Sequence, residues 1–115
     1  SPSMPARPDG PYGIGKLFGE SAGRYFSDRF EMSVLCLRIG TVNKEDRPTQ
    51  IRQFATLLAH RDLIQLVNCC IQSNHDSSFA VYYGVSANKW SFWDIENAER
   101  DLGYLPEVDA ETWRG

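Results

Sequence analysis

The segment Tyr12-Gly13-Ile14-Gly15-Lys16 sets a phenol and an ammonium four residues apart. On a helix that spacing brings both side chains to one face, roughly 5–6 Å apart at Cβ. A cation at that distance favours tyrosinate and lowers a pKa that starts near about 10. A tyrosine tuned in this way can take the proton of a hydroxyl while a hydride leaves the adjacent carbon. Tyr-x-x-x-Lys alone is a weak pattern, because the same residues also read as a half-buried tyrosine beside a solvated lysine. Gly15, Gly19 and Gly23 recur every four residues, although each costs about 1 kcal/mol relative to alanine inside a helix. A strip of small residues offsets that cost where a sheet, another helix or a cofactor comes close. GIGKLFG is also close to a dinucleotide phosphate loop, but such a loop follows a hydrophobic strand, and PARPDGPY stands here instead.

The elements that must position these groups follow from periodicity. A helix is expected over about residues 12–29, with Pro11 in its first turn and Asp9 or Gly10 at its cap. Ile14, Leu17, Phe18, Ala22, Tyr25 and Phe26 give it a wide apolar face. SVLCLRIGTV, residues 33–42, is apolar on both sides, as a central parallel strand needs. NKEDRPTQ is a polar loop, and helical patterns follow over about 51–58 and 62–72. The second has Leu63, Leu66, Val67, Cys70 and Ile71 on one face, with Asp62 near its start to complement the helix dipole. FAVYYGV, residues 79–85, is a second strand; Ser91-x-x-Asp94 then heads a helix that ends at Gly103, with Pro106 beyond. Two strands joined through helices belong to an α/β architecture with a parallel sheet, which two strands alone do not complete.

Composition narrows the partners. With 115 residues, 42% of them hydrophobic, the chain fits one domain with one core. A net charge of −3 without a Lys/Arg cluster argues against nucleic-acid and membrane partners. No apolar stretch approaches the roughly 20 residues that span a bilayer, and SPSMPARPDGP lacks a hydrophobic export signal. Cys36, Cys69 and Cys70 are an odd number, which favours a reducing compartment, so a soluble cytoplasmic chain is expected. No Cys or His pair has zinc-ligand spacing, so no metal is expected. The cysteines read as small buried hydrophobes, and His60 and His75 as residues of surface loops. Tyr82, Tyr83, Trp90, Phe92 and Trp93 read as core or cleft wall, and Ser86 and Asn88 as shapers of the turn after the second strand.

Several blocks in order make a resemblance specific. PARPDGPYGIGKLFGESAGRYFSDRF followed by LRIGTV resembles the active-site helix and next strand of the extended short-chain dehydrogenases/reductases, the NAD-dependent epimerase/dehydratase family. IRQFATLLAHRDLIQLV, VYYGVSAN and FWDIENAERDLGYLPEVDAE resemble its uronate dehydrogenase branch. The resemblance implies the C-terminal portion of a Rossmann-like parallel-sheet fold, about two strands and three to four helices, forming a single partial domain over residues 1–115. It implies Tyr12 as catalytic base and Lys16 as the group that holds the nicotinamide ribose. Thr41 and Arg52 would contact a sugar acid, Arg52 through the planar fork that suits a carboxylate. NAD or NADP would be the cofactor, and self-association through the helix of Tyr12 to Arg29 is implied. Gly15 stands where the family usually shows serine.

The family's N-terminal half, with its glycine-rich dinucleotide turn, is not in the sequence. The isolated chain is therefore expected to be inactive and not to bind the cofactor alone, whereas the parent enzyme would oxidise a hexuronate at C1 to an aldarolactone. Two alternatives stand beside this: a portion of a nucleotide-sugar epimerase or dehydratase, and a non-catalytic, self-associating module derived from the family.

Overall fold

The computed structural model describes residues 11–73 and 79–114, with side chains from Lys16 onward. The cap residues Asp9 and Gly10, and His75, lie outside the described residues. The elements are α1 (Pro11–Phe30), β1 (Val34–Ile39), α2 (Gln53–Thr56), α3 (His60–Gln72), β2 (Phe79–Gly84) and α4 (Glu96–Leu102), with a 3₁₀ turn at Ala110–Trp113. Strands β1 and β2 are parallel, in register from Val34↔Phe79 to Ile39↔Gly84. The expected α/β parallel architecture is present.

Strand alternation divides the sheet into two faces. Leu35, Leu37, Ala80 and Tyr82 pack with Leu66 of α3, Ala98 of α4 and Tyr104 to make the main core. The opposite face meets α1: a Cβ built at Gly23 would lie 2.9 Å from Val34 Cγ1 and 3.4 Å from Phe79 Cε1. The close approach anticipated for the glycine strip is thus made to the sheet, at Gly23. Nothing comes within 4 Å of a Cβ at Gly19, so that glycine brings no backbone closer. Of the wide apolar face expected of α1, Phe18, Tyr25 and Phe26 are 74%, 58% and 46% exposed and Leu17 and Ala22 half-buried, and among the described side chains of the helix the buried one is Ser27. The helix meets the sheet with small and polar side chains and turns its aromatics outward.

Four boundaries differ from the sequence reading, the first two through long-range backbone bonds. The first strand ends at Ile39, and Thr41 forms an isolated parallel bridge with Leu57. The helix expected over 51–58 is the single turn Gln53–Thr56, because Leu57 turns extended at φ −56°, ψ 135°. Leu58 N–H donates to Thr41 O and Leu57 O accepts from Ser86 N–H, so long-range bonds replace the helix's last turn. Helix α3 begins at His60, which places that histidine on a helix rather than a loop. Ser91 does not cap α4, which starts at Glu96; Ser91 Oγ accepts from Trp93 N–H and Asp94 from Glu96 N–H. The helix end at Gly103 is as expected, with a left-handed φ of 73° that favours glycine.

Trp90 and Phe92 are exposed rather than core, and the three cysteines are free and half-buried. Among the described residues no helix is long and apolar enough to cross a membrane, and no cluster of His, Cys, Asp and Glu could hold a metal. The two helix glycines should respond oppositely to alanine. Gly19→Ala is expected to stabilise the chain by up to about 1 kcal/mol, while Gly23→Ala must push Val34 away and lower stability. Urea unfolding of both variants checks this, and equal shifts would contradict the packing described.

Candidate functional site at the strand ends

The contacts of α1 give its direction. Gly23 lies over Val34 and Cys36 at the start of β1, whereas Glu20 reaches Arg38 near its end. The helix therefore runs opposite to β1, and its N-terminal turns, with Tyr12 and Lys16, lie toward the carboxyl ends of the strands. Ligands of open parallel sheets bind outside those ends. Lys16 is exposed. The side chain of Tyr12 lies outside the described residues, so the expected Tyr12–Lys16 pairing rests on their one-turn separation along α1.

An ion pair locks this placement. Arg38 Nε donates to Glu20 Oε2 and Nη2 to Oε1, both at 2.8 Å, with the side chains only 22% and 19% exposed. The guanidinium holds the Glu20 carboxyl below its ordinary range and is itself pushed up by the carboxylate. It also lies over the Tyr83 ring, 5.7 Å from the centroid, and Tyr83 packs on Trp93 at 5.1 Å. Helix, both strands and the loop before α4 are joined in one row.

Thr41 and Arg52 are brought to the same end by backbone bonding. Gly40 N–H extends the sheet ladder to Gly84 O at 2.9 Å, and Thr41 N–H donates to Thr56 O at 2.7 Å. A Cβ at Gly40 would run into the Thr56 carbonyl oxygen, so glycine is what admits this approach. The Thr41 hydroxyl lies 2.9 Å from the Thr56 hydroxyl, which meets the carbonyl of Arg52 at 3.4 Å. Arg52 caps α2 with an exposed side chain one turn before Thr56. The hydroxyl of Thr41 thus has a local partner, and the Arg52 guanidinium is open to solvent.

Sequence reasoning missed the buried network behind these residues. Asp62 is fully buried: its Oδ2 accepts from Ser86 Oγ at 2.5 Å and Val108 N–H at 3.1 Å, and its Oδ1 from Glu107 N–H at 2.8 Å. Ser86 Oγ accepts in turn from Ala59 N–H at 2.9 Å. Asn88 donates to Leu57 O and accepts from Ala110 N–H. Tyr104 donates to Val85 O at 2.7 Å, and burial pushes its phenol well up from the usual range. Asp62 stands in the first turn of α3, as expected, and is in addition a fully buried acceptor, and Ser86 and Asn88 do more than shape a turn. Its partners lie 24 to 46 residues away, and no local spacing marks them. Beside the network an open pocket of roughly 380 Å³ is lined by Ser86, Asn88, Ser91, Trp93 and Glu99 among others, and Thr41 and Arg52 do not line it.

Parallel strands with helices on both faces, and polar groups gathered at the strands' carboxyl ends, define a piece of a Rossmann-like α/β fold. Known proteins agree in sequence and in structure. No family model matches the chain. The NAD-dependent glucose-6-phosphate dehydrogenase of Haloferax volcanii is 36% identical over 90% of this chain and 39% of its own length. The uronate dehydrogenase of Agrobacterium fabrum is 34% identical over 98% and 41% respectively. Two crystal structures of uronate dehydrogenase from Agrobacterium tumefaciens, one a variant complexed with NAD, superpose with a TM-score of 0.90 at 34% and 33% identity. Each is covered over 98% of this chain and 41% of theirs. The resemblance read from the sequence is borne out: the chain is homologous to uronate dehydrogenases and NAD-dependent sugar dehydrogenases. It spans about two fifths of their length, consistent with a C-terminal portion of an NAD-dependent epimerase/dehydratase-like enzyme.

The Glu20–Arg38 pair makes stability depend on acid. Glu20 titrates below the ordinary carboxylate range when folded because Arg38 hydrogen-bonds it, so the pair contributes fully above the unfolded value and is lost as pH falls through the folded one. At neutral pH Glu20→Gln is expected to cost about 1 kcal/mol, the size of a partly solvated charge-assisted bond. Urea unfolding at a series of pH values should show the gap closing on acidification; a constant gap would contradict the assignment.

Proposed function

We propose that this chain is part of an NAD-dependent oxidoreductase that oxidises a hexuronate at C1 to an aldarolactone. The observation that carries the reading is the likeness to uronate dehydrogenase over 98% of the chain at a TM-score of 0.90. The collection of α1's N-terminal turns, Thr41 and Arg52 at one end of the sheet supports it. Tyr12 takes the proton of the C1 hydroxyl. Lys16 holds the ribose next to the nicotinamide and favours tyrosinate. Arg52 pairs with the sugar carboxylate through two parallel N–H···O bonds, and Thr41 presents its hydroxyl beside it. NAD, when bound, supplies the acceptor for the C1 hydride.

The described residues fit that cofactor only in part. Lys16 is exposed at the ligand end and suits a ribose. The turns leaving β1 and β2 are closed, Gly40-Thr41 by Thr56 and Ser86 by Asp62 and Ala59, so they offer no cradle for a pyrophosphate. On this reading the chain alone is inactive, and NAD is held chiefly by the remainder of a longer polypeptide. The free, half-buried cysteines suit a cytoplasmic setting.

Joining this chain behind the part of the Agrobacterium fabrum enzyme that it does not match tests the assignment. The joined protein is expected to form NADH with galacturonate or glucuronate, and Tyr12→Phe to lower kcat by about 10²–10⁴. No NADH with either sugar, or full activity in Tyr12→Phe, would sink the proposal.

A second feature of the reading is self-association through α1. Phe18, Tyr25, Phe26 and Phe30 leave an outward aromatic face, with Phe26 and Phe30 stacked at 5.6 Å, and such faces drive pairing. Sedimentation should show more than the 13.1 kDa monomer, with Phe18→Glu/Phe26→Glu returning it to a monomer. A monomeric unchanged chain would contradict this.

A further inference from the structure

Thr41 and Arg52 stand at the two ends of one loop, so whatever fixes that loop fixes where they stand relative to each other. The loop is bonded along its length. Asn43 Nδ2 donates to Arg47 O at 3.0 Å, and Asp46 N–H to Asn43 O at 3.3 Å. Asp46 turns left-handed at φ 57°, which a non-glycine residue keeps only where its surroundings hold it. At the rear, Thr49 N–H and the Thr49 hydroxyl both donate to Oε1 of the buried Gln53, at 2.7 and 3.0 Å, next to Arg52. At the front the loop is fastened to the head of α3. His60 N–H donates to Asp46 Oδ1 at 2.7 Å, and the ring Nε2 lies 2.6 Å from Asn43 O. Among the described residues, the hydrogen bonds that carry residues 43–48 to another element both end on His60.

We propose that His60 is a positioning residue for Arg52: its ring, by holding Asn43 O, latches the loop that joins Arg52 to Thr41. This role rests on the reading of Thr41 and Arg52 as sugar-acid contacts and adds a residue of α3 that acts through the loop. A carbonyl oxygen only accepts, so Nε2 is a protonated ring nitrogen, while Nδ1 faces Asp46 Oδ1 at 3.9 Å. The bond from His60 N–H to Asp46 asks nothing of the side chain, since any residue but proline supplies that donor. The bond from Nε2 does, and it needs a donor at the far edge of the ring. Glutamine can set an amide N–H there; asparagine, one carbon shorter, falls short of it, and leucine offers none.

A histidine that only headed α3 would, when replaced, loosen helix and loop together, whereas a latch releases the loop alone. The test is amide exchange with water, followed by NMR of the full chain, with circular dichroism to confirm folding of each variant. His60→Leu and His60→Asn should speed exchange at Asp46, Arg47 and Thr49 by about fivefold, the factor that one net hydrogen bond is worth. The amides of α3 should be unchanged, and His60→Gln should restore the loop. If His60→Leu fails to fold, the contrast between His60→Asn and His60→Gln decides. Loop exchange that none of the variants moves, a rise shared by α3, or His60→Gln as fast as His60→Asn overturns this inference alone. In the joined protein His60→Asn should raise KM for galacturonate about fivefold with kcat little changed, and His60→Gln should reverse it; an unmoved KM beside a loosened loop also overturns the inference. No NADH from the unchanged joined protein with either sugar acid overturns the reading of Arg52, and this inference with it, however the loop behaves.

Discussion

The Glu20–Arg38 ion pair sets the height and rotation of α1 over the sheet, and the rest of the ligand end follows from that placement. Gly23 lets the helix descend onto Val34 and Phe79, and the ion pair then fixes which turn of α1 lies beyond the end of β1. A half-buried, two-bond pair is directional in a way that apolar packing is not. That matters here because the aromatic side of α1 faces outward and contributes little to holding the helix on the sheet.

Behind the strand ends, one buried carboxylate organises a second layer. Asp62 gathers a side-chain hydroxyl and two backbone N–H groups, from Ser86, Glu107 and Val108. Buried carboxyl oxygens are tolerated when they are so thoroughly hydrogen-bonded. The result pins the segment after α4 against the exit of β2 and the end of α2. The α2 turn that carries Arg52 is held from two sides: by Thr41 through the backbone, and by Asn88, which bridges Leu57 and Ala110.

What the sequence could reveal was whatever is written locally. Both strands, the length of α3 within two residues, and the stop at Gly103 follow from apolar runs, a 3.6-residue period and a left-handed glycine. The Tyr12–Lys16 spacing and the Arg-Ile-Gly-Thr segment were legible for the same reason. Partners distant along the chain were not. Residues 57 and 58 read as the end of a helix, but the bonds of residues 57–59 to Thr41 and Ser86 make this stretch extended. Asp62 read only as a dipole partner, its buried network unseen, because its three donors lie far ahead in sequence. Nothing in the sequence singled out Glu20 and Arg38, since nothing local says that residues 18 apart will meet. Gly19 and Gly23 were indistinguishable until the sheet was in place.

On the function proposed above, a sugar acid binds at the end of the sheet that α1, Thr41 and Arg52 share. The most direct test is to add galacturonate to the joined protein in the presence of NAD and follow backbone amide shifts across this chain. Changes are expected to concentrate at residues 12–16, Thr41 and Arg52 and to be absent with a neutral sugar. Changes confined to Val85–Asn88 and Trp93, at the neighbouring pocket, or identical changes with the neutral sugar, would contradict the proposal.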